Sequence, residues 1–238
     1  STNISDTNTA TTFLNTGNLV LGNGAGDSLT FTGGLTATAP AAISAAGTVN
    51  TTNAAMSLGD SNTALTLTAD LTLNTAGGAL TLGGAVNGTT ANTESLSLNT
   101  GSTGVISVVG GVGQGTSLKT LTLTNSNGAT FTGAVTTDTS VVLSNTVAGQ
   151  TVRFANDLTT PTLTTTANGY HVELLGSATS ITNATTFLNT GNVVLGNGTG
   201  DSLTFAGGLT ATAPAAISAA GTVSTTNTAM SLGDTDTA

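Results

Sequence analysis

One long stretch of this chain occurs twice with almost no change. Positions 11–64 read TTFLNTGNLVLGNGAGDSLTFTGGLTATAPAAISAAGTVNTTNAAMSLGDSNTA, and positions 185–238 repeat them, Phe13 matching Phe187. Seven positions differ: Leu19/Val193, Ala25/Thr199, Thr32/Ala206, Asn50/Ser224, Ala54/Thr228, Ser61/Thr235 and Asn62/Asp236. All seven exchanges are mild. The 174-residue period that carries Phe13 onto Phe187 is too long for one solenoid turn, so it is a higher-order repeat made of smaller ones. Positions 11–184 form a full copy and 185–238 begin the next. With no cap visible, the expectation is one continuous segment, 1–238, of a longer tandem array.

The smaller units are short runs in which apolar residues alternate with Thr or Ser. Leu65-Thr-Leu67, Leu71-Thr-Leu73, Leu80-Thr-Leu82, Leu96-Ser-Leu98, Leu121-Thr-Leu123 and Leu203-Thr-Phe205 all have period two. That is the pattern of a strand with one buried face. The Leu and Phe side chains point inward, and Thr, a β-branched strand former, faces out. The runs stop at Gly77-Gly78, Gly83-Gly84, Asn87-Gly88, Asn127-Gly128 and Asn168-Gly169, residues that accept positive φ at corners. No segment has sustained helical periodicity.

Asn-Gly between strands is also a hairpin signal, so antiparallel sandwich modules compete with a solenoid. Three features favour the solenoid. Comparable runs begin at Leu71, Leu96 and Leu121, a spacing that suits stacked coils. The core is monotonous, with no Trp and no Cys to pin it. Aromatics are only 3% of the chain, too few to fill a wide two-sheet interior, whereas stacked coils bury a thin column. The expected fold is therefore all-β, a right-handed parallel β-solenoid (β-helix) rod, its hand taken from the crossover rule. At about 22 residues per coil, one copy makes about eight coils and adds roughly 38 Å of rod. The inward set is Leu65, Leu67, Leu71, Leu73, Leu80, Leu82, Leu96, Leu98, Leu121, Leu123, Phe131, Phe154, Leu203 and Phe205.

Charge narrows the function classes. Eleven acids face two basic residues, Lys119 and Arg153, for a net charge of −9. Two cations cannot track a phosphate backbone or grip an anionic bilayer, so neither nucleic acid nor membrane is an expected partner. Charged residues are 5% of the chain while its mean hydropathy is positive, which is not the composition of a disordered segment. The lack of cysteine excludes disulfides and thiolate metal sites. No run of about twenty apolar residues is present to span a bilayer as a helix, and positions 1–5 do not read as a signal peptide.

The runs ALTLGGAVNGTT (79–90) and SLSLNTGSTGVISVVGGVG (95–113) resemble the repeat regions of giant bacterial surface proteins, the filamentous-haemagglutinin-type and autotransporter-type β-helical adhesins. The resemblance rests on pattern and composition and covers nearly the whole chain. It implies a β-helical stalk, export through an outer-membrane pore, and a role in adhesion or matrix building. The family's secretion domain and terminal anchor do not occur in this sequence.

Candidate chemistry is sparse. The lone histidine, His171, lies in Gly169-Tyr-His-Val-Glu-Leu174, where His171 and Glu173 would share one face of a strand opposite Tyr170 and Val172. An acid–base pair there has no nucleophile beside it. No catalytic residue is assigned, and the chain is not expected to be an enzyme. No aromatic sugar platform accompanies Tyr170. Gly22-Asn-Gly-Ala-Gly-Asp27-Ser-Leu-Thr30 resembles a calcium-binding nonapeptide, and its second copy carries Asp201. Asp27 and Asp201 are thus the metal candidates, with calcium the one conceivable cofactor. The alternative role for each is an Asp that caps its own turn. Asp60-Ser-Asn62 and Asp234-Thr-Asp236 are thinner versions of the same idea. Gly-rich stretches lack the Lys-Ser/Thr of a P-loop, and the sequons at Asn3, Asn50, Asn87, Asn183 and Asn197 are a chance product of composition. Outward positions vary among Thr, Ser, Asn, Asp and Ala, which does not make an ice-binding plane.

The functional expectation is a structural or adhesive rod segment of an extracellular, secreted or cell-surface bacterial filament. Its expected partners are neighbouring copies of the repeat, with lateral association into fibres. The alternative is a surface-layer lattice protein that depends on calcium.

Overall fold

The computed structural model describes residues 3–5 and 8–237. Among them are 27 strands and no helix, and every strand pair is parallel. The chain winds as a β-solenoid with three sides per turn. The third side shows the winding most simply. Its ten strands stack in chain order: Thr11–Thr12, Leu35–Ala37, Met56–Leu58, Leu80–Leu82, Ile106–Val108, Ala129–Phe131, Thr151–Phe154, His171–Leu174, Val193–Leu195 and Ile217–Ala219. Ten strands on one side make ten turns. The turns are unequal in length: Leu29 pairs Val49 across a short one, and Leu80 pairs Ile106 across a long one.

Alternation explains why these residues form strands and why the strands stack. In short strands such as Leu35–Ala37, Met56–Leu58, Leu80–Leu82, Ile106–Val108 and Ala129–Phe131 the outer two side chains are buried and the middle one is partly exposed or exposed. Leu35, Met56, Leu80, Ile106, Ala129, Val152, Val172 and Val193 make one inward column. Ala37, Leu58, Leu82, Val108, Phe131, Phe154, Leu174 and Leu195 make the next. Small Ala129 shares a strand with large Phe131, so the two columns together fill a narrow interior without a wide sheet-to-sheet gap. Leu71, Leu96 and Leu121 do stack, in register, on the second side. Every residue of the inward set named from sequence is buried. The first and second sides are joined without a break where Ala42–Thr51 and Leu65–Asn74 each run across two sides, their register slipping at the corner between Ala45 and Gly47.

The two copies of the repeated stretch keep their internal pairing but not their position on the rod. Ser28 pairs Thr48 just as Ser202 pairs Thr222, and Leu35 pairs Met56 just as Leu209 pairs Met230. Yet Leu35–Ala37 lies on the third side, while its counterpart Leu209–Ala211 stacks beyond Thr185–Thr186 in a separate three-stranded ladder that continues the second side, where the Thr165 hydroxyl donates to the Thr186 carbonyl. The count of sides explains this. From Thr11–Thr12 to His171–Leu174 the chain makes seven steps along the third side, and Ala178–Ile181 and Thr185–Thr186 then occupy the two sides that follow. One copy therefore spans seven and two-thirds turns, close to the about eight expected from sequence. Each copy is turned by one side relative to the last.

Candidate functional site

The Asp27 loop is built to close on itself. The Asp27 carboxylate oxygen Oδ2 accepts from the Asn23 amide at 2.8 Å and the Gly24 amide at 3.2 Å. In the second copy Asp201 Oδ2 accepts from Asn197 at 2.7 Å and Gly198 at 2.8 Å. The main-chain carbonyls of Asp27 and Asp201 receive the Thr48 and Thr222 amides, both at 2.8 Å. Each loop is thus tied by its Asp to its own turn and to the next coil. The geometry is that of the capping role, whereas calcium would need a shell of about six to eight oxygens around the carboxylate. Among the described residues, no three acidic or imidazole side chains converge on one point. Asp60 and Asp234 make the same local turn, accepting from the Asn62 and Asp236 amides at 2.9 Å. Those amides, with the Thr63 and Thr237 hydroxyls, hold both carboxyls below the ordinary value.

His171 and Glu173 share an outward face, with Tyr170 and Val172 buried behind them. They do not face one another's chemistry. Glu173 Oε2 accepts from Arg153 Nε at 2.6 Å across the adjacent strand. His171 Nδ1 accepts from the Asn192 amide at 2.7 Å. Tyr170 is fully buried. Its hydroxyl donates to the Leu143 carbonyl at 3.2 Å and accepts from the Thr166 amide at 3.0 Å, so it offers no surface on which a sugar could stack.

Sequence reading missed a polar column at one corner of the rod. Thr30, Asn50, Asn74, Asn99 and Asn125 occupy the same register position on successive turns of the second side. Asn74 Nδ2 donates to Asn50 Oδ1 at 3.1 Å, Asn145 to Asn125 at 3.2 Å, and Asn168 to Asn145 at 3.0 Å. Directly inside it run buried hydroxyls. Thr51 donates to the Ala54 carbonyl, Thr75 to that of Gly78 and Thr100 to that of Gly104, and Ser126 pairs with Thr146. The three Thr hydroxyls each tie a turn carbonyl at this corner, that of Gly104 also receiving the Asn127 amide at 2.8 Å. The signal was present in Leu-Thr-Leu-Asn (71–74) and Leu-Ser-Leu-Asn (96–99). The sequons at Asn50, Asn87 and Asn183 fall on amides already at work: Asn50 in this column, Asn87 accepting from Gly115, and Asn183 donating to Thr162.

These features define a class, a parallel β-solenoid repeat protein. No known sequence family, no curated protein and no solved structure matches the chain.

Proposed function

We propose that the chain is a structural spacer, a rod segment of an extracellular bacterial filament or adhesin whose reach scales with the number of long repeat copies. The observation that carries this reading is that two of the three sides run through the junction between copies without a break. Val172 pairs Val193 and Thr179 pairs Leu203 across position 185, while on the second side Thr185–Thr186 starts a separate three-stranded ladder. A junction crossed by two continuous ladders lets copies be added without a separate domain interface. At about 4.8 Å per turn each copy lengthens the rod by about 37 Å. The sparsely charged, Thr-rich exterior suits a part whose work is mechanical, and the resemblance to surface adhesins supports a position outside the cell.

The test is electron cryomicroscopy of chains carrying two, three and four copies, together with labelling of the native protein on intact cells. The reading expects straight rods with an axial repeat near about 4.8 Å, longer by one fixed increment per copy, exposed at the cell surface. Beads on a string, or a protein confined to the cell interior, would refute it. A planar lattice that dissolves in EGTA would replace it with the surface-layer reading.

A further inference from the structure

We infer that Asn127 and Asn168 are sites of spontaneous deamidation in the folded rod, while Asn23, Asn87 and Asn197 are held against the same reaction. The modification needs no enzyme, and it marks the age of a chain at one corner of the solenoid.

Five Asn-Gly pairs occur: Asn23-Gly24, Asn87-Gly88, Asn127-Gly128, Asn168-Gly169 and Asn197-Gly198. The chemistry open to each is the same. The glycine amide gives its proton to hydroxide, its nitrogen attacks the asparagine Cγ, and the Cγ–Nδ2 bond breaks to release ammonia. Water then opens the cyclic imide. Opening at one carbonyl leaves aspartate, and opening at the other leaves isoaspartate, whose main chain is one carbon longer. The net change consumes one water and releases one ammonia, with no oxidation or reduction. Glycine favours the attack because no Cβ obstructs it. What separates the five pairs in the folded chain is whether the glycine amide is free to react.

Three of these amides are engaged. That of Gly24 donates to the Asp27 carboxylate at 3.2 Å, and that of Gly198 to the Asp201 carboxylate at 2.8 Å. Deprotonation there would set one anion against another. Gly88 is buried, and its amide donates to the Thr116 carbonyl at 3.1 Å. Asn87 is anchored too, its Oδ1 accepting from the Gly115 and Thr116 amides at 2.8 and 3.3 Å.

Gly128 and Gly169 differ. Among the described residues no acceptor receives either amide, and both glycines are partly exposed to the water that the reaction needs. Asn127 Nδ2 donates to the Thr103 carbonyl at 3.4 Å and Asn168 Nδ2 to Asn145 Oδ1 at 3.0 Å. Neither bond uses the glycine amide. Exposure alone would give the opposite ranking, since Asn23 and Asn197 are exposed while Asn127 and Asn168 are only partly so.

Both reactive pairs lie where the second side turns onto the third, just before Ala129–Phe131 and His171–Leu174. Their products loosen that corner. An aspartate at 168 has no side-chain amide to give Asn145. An isoaspartate lengthens the main chain beside the Gly128 and Gly169 carbonyls, which receive the Ile106 and Gly149 amides at 3.0 and 2.9 Å. Each event weakens a bond between successive turns.

The test incubates the full chain in mildly alkaline buffer, folded and unfolded in guanidinium, and follows each Asn-Gly pair by peptide mass spectrometry. In the folded chain Asn127 and Asn168 should convert roughly tenfold or more faster than the other three, the factor expected when a hydrogen bond must first be given up. In guanidinium the five rates should converge. Asp27→Ala should raise the rate at Asn23 by a similar factor, while Asn197 in the same molecule stays slow. Equal rates at all five pairs of the folded chain, Asn23 and Asn197 leading, or no conversion at Asn127 and Asn168 while the unfolded sample reacts, would each overturn the inference. An unaltered Asn23 rate in Asp27→Ala would overturn the protective role given to the aspartates. None of these results bears on where the rod resides, so the spacer reading stands or falls separately.

Discussion

Asn74 donates its side-chain amide to Asn50 at 3.1 Å, one full turn away along the rod. Its own Oδ1 meanwhile accepts from the Ala76 amide at 3.2 Å and shapes the turn that leaves the strand. One side chain therefore serves both the corner and the stacking of neighbouring turns. Asn74→Ala should cost about 1 kcal/mol, the net worth of an ordinary hydrogen bond. Asn15→Ala, which removes only an exposed bond to the Gly17 carbonyl, should stay within about 0.5 kcal/mol. Urea unfolding of the two variants gives the comparison. Equal effects would mean the column is decoration.

Leu98 lies between Leu73 and Leu123 in an inward column and is fully buried. An aspartate there would be a charge with no partner, and Leu98→Asp should destabilise by more than about 4 kcal/mol. Ser97→Asp, on the outward face of the same strand, should change stability by less than about 0.5 kcal/mol. Thermal melts of both variants test the inward assignment, which an unchanged Leu98→Asp curve would refute.

The inward residues could be read from sequence because period-two alternation depends on nothing but the pleat. The stacking of Leu71, Leu96 and Leu121 could be read because those turns happen to have equal length. The rotation between copies could not. It depends on the number of sides, and two features hide that number. Ala42–Thr51 and Leu65–Asn74 each run on as one strand around a corner, and Val112 represents a whole side as a single bridge. The Asn column needed register as well as motif, since Asn125 follows its Leu by two positions where Asn74 and Asn99 follow by one. At Asp27 the motif suggested calcium, and what favours capping is the placement of two backbone amides that no residue type reveals.

Gly47 has φ +78°, and a Cβ there would overlap the carbonyls of Asp27 and Gly24. Gly149 has φ +77° with nothing within 4 Å of the same position. The pair separates backbone strain from crowding. Gly149→Ala should cost about 1–2 kcal/mol, the penalty of the left-handed region alone. Gly47→Ala should cost clearly more, because the Asp27 loop must also move off the coil that it abuts. Unfolding free energies for the two variants decide this, and similar values would show that the loop yields freely.

Tyr170 is the only tyrosine, so an absorbance titration reads it alone. Burial holds its pKa above the ordinary 10.0, against a weaker opposite pull from the Thr166 amide. The folded state thus keeps the phenolic proton more tightly than the unfolded chain does. The stability it contributes is complete below about pH 10 and is lost as the pH rises from there through the folded value. The native protein should titrate above the urea-unfolded one, and its unfolding free energy should fall in that window. Tyr170→Phe should abolish the fall. It should also cost about 1–3 kcal/mol at neutral pH by leaving the Thr166 amide without its partner. A native titration coincident with the unfolded one would show that the ring opens to water.

Calcium can be judged at Asp27 because its Oδ2 already receives the Asn23 and Gly24 amides. If the carboxylate serves the turn, Asp27→Ala should lower stability by about 1–3 kcal/mol with or without metal, while EGTA should leave the melting temperature of the native chain unchanged. Asp201→Ala should behave in the same direction, since Asp201 makes the same two bonds. If instead the loops bind calcium, EGTA should lower the melting temperature, added calcium should restore it, and both Asp variants should lose that response. Melting each protein in EGTA and in millimolar calcium distinguishes the cases. A calcium response abolished at Asp27 and Asp201 would revive the lattice alternative, because an array held together by metal between molecules has a use for such loops that a plain spacer does not.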